Sequence, residues 1–255
     1  MEESFTVSKF EELMGEDLSK SIEWNIAARL YHNFVRDKNK EQLIPKKIHQ
    51  IWFGEMPNEH KKLIPGIREK HPGWEYKLWT IEDAEQYPMR NRELFDKTEN
   101  LGSKSDIFRY EVLYNEGGIY LDSDFDMVKS FDSLLHNELF TGIGHVQEPE
   151  VFNGLIGCTK NHELMGKIVE GLEKESVDDI MSCTGPYYFT KHFFNYLIHD
   201  QKSDKIVILP TPYFYPFPAV YRHYIRNKVD RMKKYIHSFN TKETICVHLW
   251  FNSWQ

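Results

Sequence analysis

Three aspartates, Asp122, Asp124 and Asp126, lie within five residues near the middle of the chain. They follow the apolar run 119–121, which predicts a buried strand that ends at the first carboxylate. In α/β sheets, ligands bind beyond the carboxyl ends of strands, and Mg²⁺ and Mn²⁺ prefer oxygen ligands. The pattern therefore predicts a divalent cation held by paired aspartates, together with the diphosphate of a ligand.

Two other acidic motifs can be tested on the same residues. An EF-hand calcium loop starting at Asp122 would need glycine at its sixth position and glutamate at its twelfth. The chain has Met127 and Ser133 there, which excludes that motif. A phosphatase of the haloacid dehalogenase type would have Thr or Val in place of Asp126, with residues 178–179 as its later acidic pair. That pair does not follow an apolar strand, so the phosphatase is the second-ranked enzyme.

A charged pair, Asp106 and Arg109, precedes the acidic cluster. Residues three apart share one face of a helix, where an exposed ion pair contributes only about 0.2–0.5 kcal/mol. If this helix leads into the metal loop, the same pair can hold the hydroxyl groups of a sugar by charge-assisted hydrogen bonds. The spacing leaves both interpretations open.

The elements around these residues alternate between helix and strand. Residues 1–42 read as helical, with Asp17 as a candidate cap. Their apolar stripe is made by Ile22, Ile26, Leu30 and Phe34, with Ala27 and Tyr31 beside it. The helix before the acidic cluster is expected to begin at Ser103 or Ser105 and to end at the glycine pair 117–118. Another helix is expected at 59–70, and strands at 47–54, 74–79, 119–121, 139–143, 155–158, 206–209 and 244–249. This alternation predicts an α/β domain with a largely parallel sheet.

The composition limits the classes of partner. A net charge of −7 argues against nucleic acid, because phosphate binding needs a basic face. The basic segment 222–234 predicts a solvated helix face or, as the alternative, peripheral contact with anionic lipid or a phosphorylated acceptor. The three cysteines form no CxxC pair, and the sequence shows no signal peptide and no apolar run of the roughly 20 residues that span a bilayer. We therefore expect a cytoplasmic protein, with peripheral contact at the inner face of a membrane as an option.

Longer motifs around these residues resemble the DXD-containing glycosyltransferases of family 32. Residues 105–114 and 117–124 match the family's S-D-x-x-R-Y-x-x-L-Y and G-G-x-Y-x-D-x-D motifs, and residues 44–54 and 248–254 resemble its opening strand and its closing H-x-x-x-x-S-W. The family includes yeast-type α-mannosyltransferases and bacterial capsule and polysaccharide enzymes, and is related to the clostridial glucosylating toxins. The resemblance covers residues 44–255 and leaves residues 1–43 as an N-terminal helical segment.

The resemblance implies a GT-A fold, which is a single Rossmann-like α/β/α domain with a mixed, mainly parallel sheet. It also implies retention of anomeric configuration and a divalent metal, Mn²⁺ or Mg²⁺. The metal is implied to bind Asp124 and a further ligand from the closing segment, either His248 or Asn252. The toxin relatives have serine at the position of Asn252, so the choice between these two ligands stays open.

The resemblance also implies which residues bind the donor. Trp52 would stack on the base and Trp254 would contact the diphosphate. The full set implied to bind the donor is Ile51, Trp52, Tyr120, Asp122, Ser123 and Trp254. The set implied to act at the reacting sugar is Asp106, Arg109, Asp122 and Asn153.

The function expected from the resemblance is transfer of a hexose from a nucleotide sugar to a saccharide, a glycolipid or another hydroxyl acceptor. A UDP-sugar is favoured as the donor, with GDP-mannose as the alternative. A metal-dependent phosphatase and a non-catalytic nucleotide-sugar-binding protein rank below both of these. The presence of Asp106 and Arg109 beside the paired aspartates argues against the non-catalytic protein.

Overall fold

The computed structural model describes residues 10–14, 21–38, 41–145, 149–172, 180–200, 203–225 and 228–251. Five residues named above lie outside these ranges: Asp17, Asp178, Asp179, Asn252 and Trp254.

Eight strands form two sheets within the described ranges. In chain order they are β1 (Lys47–Ile51), β2 (Glu75–Trp79), β3 (Gly118–Leu121), β4 (Phe125–Met127), β5 (Leu139–His145), β6 (Pro149–Cys158), β7 (Ile206–Leu209) and β8 (Cys246–His248). The larger sheet has the order β2-β1-β3-β6-β5-β7. Strand β6 is antiparallel to both of its neighbours, whereas the other pairs in this sheet are parallel. The expected α/β domain with a mixed, mainly parallel sheet is confirmed.

Helices separate most of the strands along the chain. They are α1 (Ile22–Arg36), α2 (Asn58–Lys61), α3 (Ile64–Lys70), α4 (Ile81–Gln86), α5 (Arg92–Lys97), α6 (Leu101–Glu116), α7 (Glu163–Leu172), α8 (Ile180–Cys183), α9 (Pro186–His199), α10 (Arg222–Ile225) and α11 (Val229–His237). Among the helices that the structure describes, none has both the length and the apolarity to cross a bilayer. The three cysteines are buried free thiols.

The turn between α6 and β3 positions the acidic cluster. Gly117 ends the helix with a φ of +67°, and Gly118 starts the strand with a φ of +98°. A Cβ on Gly118 would lie 2.7 Å from the carbonyl oxygen of Lys47, so glycine lets β3 pair closely with β1. The strand is buried throughout and delivers residue 122 at its carboxyl end.

The start of α6 differs from the prediction. Asn100 is the N-cap, and its side chain accepts a hydrogen bond from the backbone N–H of Ser103 at 3.0 Å. Ser103 and Ser105 lie inside the helix, which therefore begins earlier than predicted. An asparagine caps as well as a serine does, so the local sequence offered several equivalent starts.

Two further helices were predicted with incorrect boundaries. The helix expected at 59–70 is divided into α2 and α3, because proline in the first turn of α3 has no N–H with which to continue the preceding helix. Helix α1 is capped by Ser21, and Ile22 is 69% exposed. Its buried residues are Ala27, Ala28, Leu30 and Tyr31, three of which belong to the predicted stripe or lie beside it, and the helix packs on β7 and α9.

The small sheet connects two distant parts of the chain. Strand β4 follows the acidic pair, and it pairs antiparallel with β8 in the register Phe125 to His248, Asp126 to Val247 and Met127 to Cys246. The backbone N–H of Leu249 extends this pairing by donating to the carbonyl of Asp124 at 2.9 Å. This pairing brings the closing segment beside the carboxylates that follow β3.

Candidate active site

Strands β3, β4 and β8 bring together Asp122, Asp124 and His248. One possible ligand atom from each side chain lies within 4.8 Å of the other two. Asp122 follows the last residue of β3, and its backbone N–H donates to the carbonyl of Gly154 at 2.8 Å. Asp124 precedes β4, and the pairing of Phe125 with His248 places the imidazole Nε2 3.1 Å from Asp124 Oδ1.

The charges of these three side chains depend on one another. Burial favours a higher pKa for Asp124, but the facing His248 and a 2.9 Å hydrogen bond from the Phe251 N–H lower that pKa to about 2. Burial opposes protonation of His248, yet the Asp124 carboxylate beside it raises the pKa of the imidazole. The pKa of Asp122 is raised by burial, against the lowering effect of Arg109. His248 thus supplies the positive charge that the carboxylates require.

The same donor set fits a divalent cation. Carboxylates suit both Mg²⁺ and Mn²⁺, and an imidazole is a ligand that Mn²⁺ also accepts. The Nδ1 atom of His248 is buried, and none of the described residues hydrogen-bonds to it. A bound cation would replace the charge of the imidazolium, because a ligating histidine must be neutral. Of the two residues proposed as the further ligand, His248 lies at the site, and Asn252 is outside the described ranges.

The third aspartate of the cluster is engaged elsewhere. Asp126 Oδ2 lies 2.8 Å from His237 Nε2 and 3.2 Å from Lys233 Nζ. Burial by itself would raise the pKa of Asp126, but these two partners lower it. Both partners belong to α11, so Asp126 attaches that helix to β4 and is not among the three residues that could hold a cation.

Asp106 and Arg109 form a buried ion pair next to the metal residues. Arg109 Nη2 lies 3.0 Å from Asp106 Oδ1 and 3.4 Å from Asp122 Oδ1. The guanidinium also lies 4.4 Å above the ring centre of Tyr120, whose hydroxyl donates to Asp122 Oδ1 at 2.6 Å. Asp106 is 5% exposed and Arg109 is 6% exposed, so this pair is not the solvent-exposed helical pair that the spacing allowed.

Asp106 is held on both carboxylate oxygens. Asn153 Nδ2 donates to Oδ1 at 2.9 Å, and Thr184 Oγ1 donates to Oδ2 at 3.0 Å. Burial raises the pKa of Asp106 to about 7, although the Arg109 charge acts in the opposite direction. Arg109 Nη1 in turn donates to the Asn153 carbonyl at 2.8 Å. Asp106 therefore fixes the positions of Arg109 and Asn153.

An aromatic slot lies beside the metal residues. The rings of Trp52 and His60 are 4.6 Å apart, and the ring of Phe251 lies 5.0 Å from His60 in an edge-on contact. His60 is further fixed by a 2.8 Å hydrogen bond between its Nδ1 and the hydroxyl of Ser123. The buried indole nitrogen of Trp52 has no hydrogen-bond partner in the part of the chain that is described. This slot has a flat apolar face and an unused donor, which suits a nucleotide base.

One cleft of about 340 Å³, a size typical of small-molecule sites, is lined by the three possible metal ligands, the Asp106–Arg109 pair, Asn153 and Trp52. Its remaining wall includes Tyr215, Arg222 and Trp250. Trp250 has a φ of +58°, a conformation that side chains other than glycine seldom adopt. The indole N–H of Trp250 donates to the Phe217 carbonyl at 2.8 Å, and its ring meets that of His248 at 4.3 Å. Such strain is typical of a functional site.

The predicted site residues within the described ranges lie on one cleft. Those on the cleft are Ile51, Trp52, Asp106, Arg109, Tyr120, Asp122, Ser123, Asp124, Asn153 and His248. Their individual roles stay predictions, and Trp254 lies outside the described ranges. The residues that sequence reasoning missed are His60, Thr184, Tyr215, Arg222 and Trp250. Of these, Trp250 lies within the closing motif, Arg222 begins the basic segment 222–234, and Tyr215 belongs to the proline- and aromatic-rich segment 210–218, but none of these patterns indicated a place in the cleft.

Comparison with known proteins shows similarity to glycosyltransferases over the part of the chain that carries the acidic cluster. Residues 57–141 match the family described as "Glycosyltransferase sugar-binding region containing DXD motif". The chain is 30% identical over 212 residues to inositol phosphoceramide mannosyltransferase 2 of Schizosaccharomyces pombe, covering 79% of this chain and 56% of that protein. It is 29% identical over 164 residues to inositol phosphoceramide mannosyltransferase 3 of the same organism, covering 60% and 45%. The chain thus spans about half the length of these curated relatives.

A solved structure with a similar arrangement is that of the PaToxG glycosyltransferase. The two share 21% sequence identity and superpose with a TM-score of 0.47, over 68% of this chain and 78% of that one.

Proposed function

Because the chain belongs to the DXD-containing glycosyltransferases of family 32, we propose that it transfers a hexose from a nucleoside diphosphate sugar to an acceptor hydroxyl. The observation that carries this proposal is the meeting of Asp122, Asp124 and His248 at the end of β3, in one cleft with the Asp106–Arg109 pair and Trp52. Such a cleft offers a place for each part of the donor.

In this proposal the protein binds the donor at three points. The base stacks on Trp52, and the diphosphate lies at Asp122, Asp124 and His248, which would hold Mn²⁺ or Mg²⁺. A bound cation would neutralise the negative charge that develops on the leaving diphosphate. The guanidinium of Arg109 is already fixed by two carboxylates. It can therefore donate a hydrogen bond to a sugar hydroxyl without changing its own position.

We infer that the reaction retains the anomeric configuration, as the family resemblance implies. Thr184 and Asn153 occupy the two oxygens of Asp106, so this carboxylate is poorly placed to attack the sugar. The acceptor oxygen would bond to the anomeric carbon on the face from which the phosphate oxygen departs. Its proton would pass to that phosphate, which leaves a neutral glycoside and a nucleoside diphosphate.

For the donor, GDP-mannose and a UDP-hexose are the two candidates. The sequence motifs predicted a UDP-sugar as the donor, because they resemble those of enzymes that use UDP-sugars. The relatives named as mannosyltransferases support mannose as the hexose, and GDP-mannose is therefore the donor that we propose. Stacking on Trp52 does not separate the two, because every base has a flat face.

We expect GDP to bind more tightly than UDP in the presence of Mn²⁺, and GDP-mannose to release nucleotide faster than UDP-glucose or UDP-galactose. Calorimetric titration and a nucleotide-release assay measure the two quantities, with an EDTA-treated sample as the control. Tighter binding of UDP would return the donor to a UDP-hexose. Release of inorganic phosphate from a phosphomonoester would instead support a phosphatase, and binding without turnover would support a non-catalytic protein.

For the acceptor, we propose a glycolipid at a membrane surface, in keeping with the names of the relatives. The side chains of Val220 and Tyr224, on either side of the cleft residue Arg222, are 70% and 69% exposed. Arg231 and Lys234 on α11 are exposed as well. Aromatic and basic side chains together suit an anionic bilayer, and their position would bring a lipid-anchored acceptor to the cleft.

Replacing both Arg231 and Lys234 with glutamine should weaken binding to phosphatidylserine-containing vesicles by roughly tenfold or more, since each basic residue near such a surface contributes about 1 kcal/mol. Co-sedimentation with vesicles at low and high salt measures this effect. The matched control replaces Lys160 and Lys191, two exposed lysines on other elements, with glutamine. Equal losses in the two double variants would argue against a dedicated membrane-binding face.

A further inference from the structure

The hydroxyl of Tyr215 is buried in the cleft without a hydrogen-bond partner among the described residues. The side chain is 2% exposed. A buried hydroxyl that lacks a partner destabilises a fold, so a native example calls for an explanation. The surrounding segment 210–218 is rich in proline and aromatic residues, a pattern that by itself favours simple packing.

The ring of Tyr215 cannot easily turn to find a partner. Its centre lies 5.2–5.8 Å from the ring centres of four neighbours, which are Phe125, Phe152, His248 and Trp250. Its backbone N–H is fixed by a 2.9 Å hydrogen bond to the carbonyl of Thr211. Burial keeps the pKa of the phenol well above its usual value, so the group stays protonated. Tyr215 therefore presents a fixed O–H donor.

The absence of a side chain on Gly154 lets Asp122 approach this donor closely. A Cβ built on Gly154 would lie 2.6 Å from Asp122 Oδ2 and 3.5 Å from the hydroxyl of Tyr215. Both oxygens therefore border the position that the missing side chain would take. Tyr120 and Arg109 engage Asp122 through Oδ1, and no described residue hydrogen-bonds to its Oδ2.

We propose that Asp122 Oδ2 and Tyr215 Oη, which lie close together beside Gly154, form a subsite for one hydroxyl group of the transferred sugar. A hydroxyl can both accept and donate a hydrogen bond. It would accept from Tyr215 and donate to Asp122, so that both protein atoms gain a partner. Each carboxylate oxygen has about two lone-pair sites, so Oδ2 can bind a cation and accept from the sugar hydroxyl at the same time. The subsite rests on the proposed glycosyl transfer and adds a determinant of which sugar is accepted.

The first test compares two tyrosine-to-phenylalanine variants. Tyr215→Phe should raise the melting temperature by about 2–4 °C, because it removes an unpaired buried hydroxyl, and lower kcat/KM for the donor by roughly tenfold. Tyr188 is equally buried, but its hydroxyl donates to the Ile168 carbonyl at 2.6 Å, and it does not line the cleft. Tyr188→Phe should therefore lower the melting temperature and leave kcat/KM unchanged.

The second test identifies the sugar hydroxyl with monodeoxy analogues of the donor. For the native protein, one analogue should show a loss of kcat/KM that disappears in Tyr215→Phe, because the same hydrogen bond is removed from either side. Equal activity of Tyr215→Phe and the native protein, or an unchanged penalty for every analogue, would overturn the subsite. A native protein that releases nucleotide from no sugar donor would instead contradict the proposed function, so the two failures are distinct.

Discussion

Replacing Asp124 with asparagine is expected to lower nucleotide release by roughly 10²–10³-fold, the scale for removing one group that stabilises developing charge. The substitution removes the anion that faces His248 and takes a carboxylate from the candidate cation site. An amide oxygen can still accept the N–H of Phe251, but the melting temperature should fall, because the lowered pKa of Asp124 means that its ionised form stabilises the fold; activity is therefore compared per folded molecule. Thermal melts and nucleotide-release assays across a Mn²⁺ titration measure both effects.

The matched control for this prediction is Asp126→Asn. Asp126 belongs to the same acidic cluster, but His237 and Lys233 bind it away from the cation site. We expect this variant to keep its activity within about threefold, with at most a modest loss of stability. Equal losses of activity in the two variants would contradict the assignment of the metal pair, as would an Asp124→Asn protein with native activity in EDTA.

Replacing Arg109 with methionine is expected to inactivate the protein and to destabilise it by about 3–5 kcal/mol, the cost of leaving a buried charge without its partner. Arg109 is the cation beside both Asp106 and Asp122, and it also donates to the Asn153 carbonyl. For a domain of this size, the loss corresponds to a melting temperature lower by roughly 10 °C.

The loss caused by Arg109→Met should depend on pH in a defined direction. The pKa of Asp106 in the folded protein is about 7, above its usual value of 3.8, so between these values the folded state binds more protons than the unfolded state. Asp106 therefore weakens the fold as the pH rises through this window. Removing Arg109 raises the carboxyl pKa further, and the deficit should be smaller at pH 5 than at pH 8.

Melting temperatures of the variant and the native protein at both pH values measure this difference. Arg90→Met is the control, because Arg90 forms an exposed ion pair with Glu170 at 3.1 Å, and such pairs contribute little. A deficit for Arg109→Met that is small, or the same at both pH values, would show that the guanidinium does not balance the two carboxylates.

The sequence predicted the parts of this site that depend on neighbouring residues. The glycine pair at 117–118 and the apolar run after it identified the turn into β3, because only glycine tolerates that backbone. The spacing of Asp106 and Arg109 placed both on one helix face, but it could not show that the face is buried against Asp122. Spacing carries no information on burial when the partners come from other elements.

The partners that sequence reasoning missed are brought in by tertiary structure. Thr184 reaches Asp106 from outside the motifs, and His60 reaches Ser123 from a helix of only four residues. The composition of segment 210–218, which holds Tyr215, favours a packed connection, and most of its aromatic side chains are indeed buried. Its aromatic rings do pack in the core, while the single hydroxyl oxygen of Tyr215 remains unpaired among the described residues. A sequence cannot show that a hydroxyl lacks a hydrogen-bond partner, because the partner depends on tertiary contacts.

The small β4–β8 sheet has a consequence for the order in which the protein assembles. Pairing β4 with β8 closes a loop of about half the chain but forms only three residue pairs. By contrast, β5 and β6 form a longer hairpin from adjacent segments. Closing a long loop has an entropic cost, and the few hydrogen bonds of a short ladder offset little of it. We therefore expect the large sheet to form first and β8 to pair with β4 late. The cation site would then be the last part of the fold to assemble and the first to open, as a separate cooperative unit. A ligand that bridges Asp124 and His248 would close that unit, so that occupancy of the site and local order would rise together.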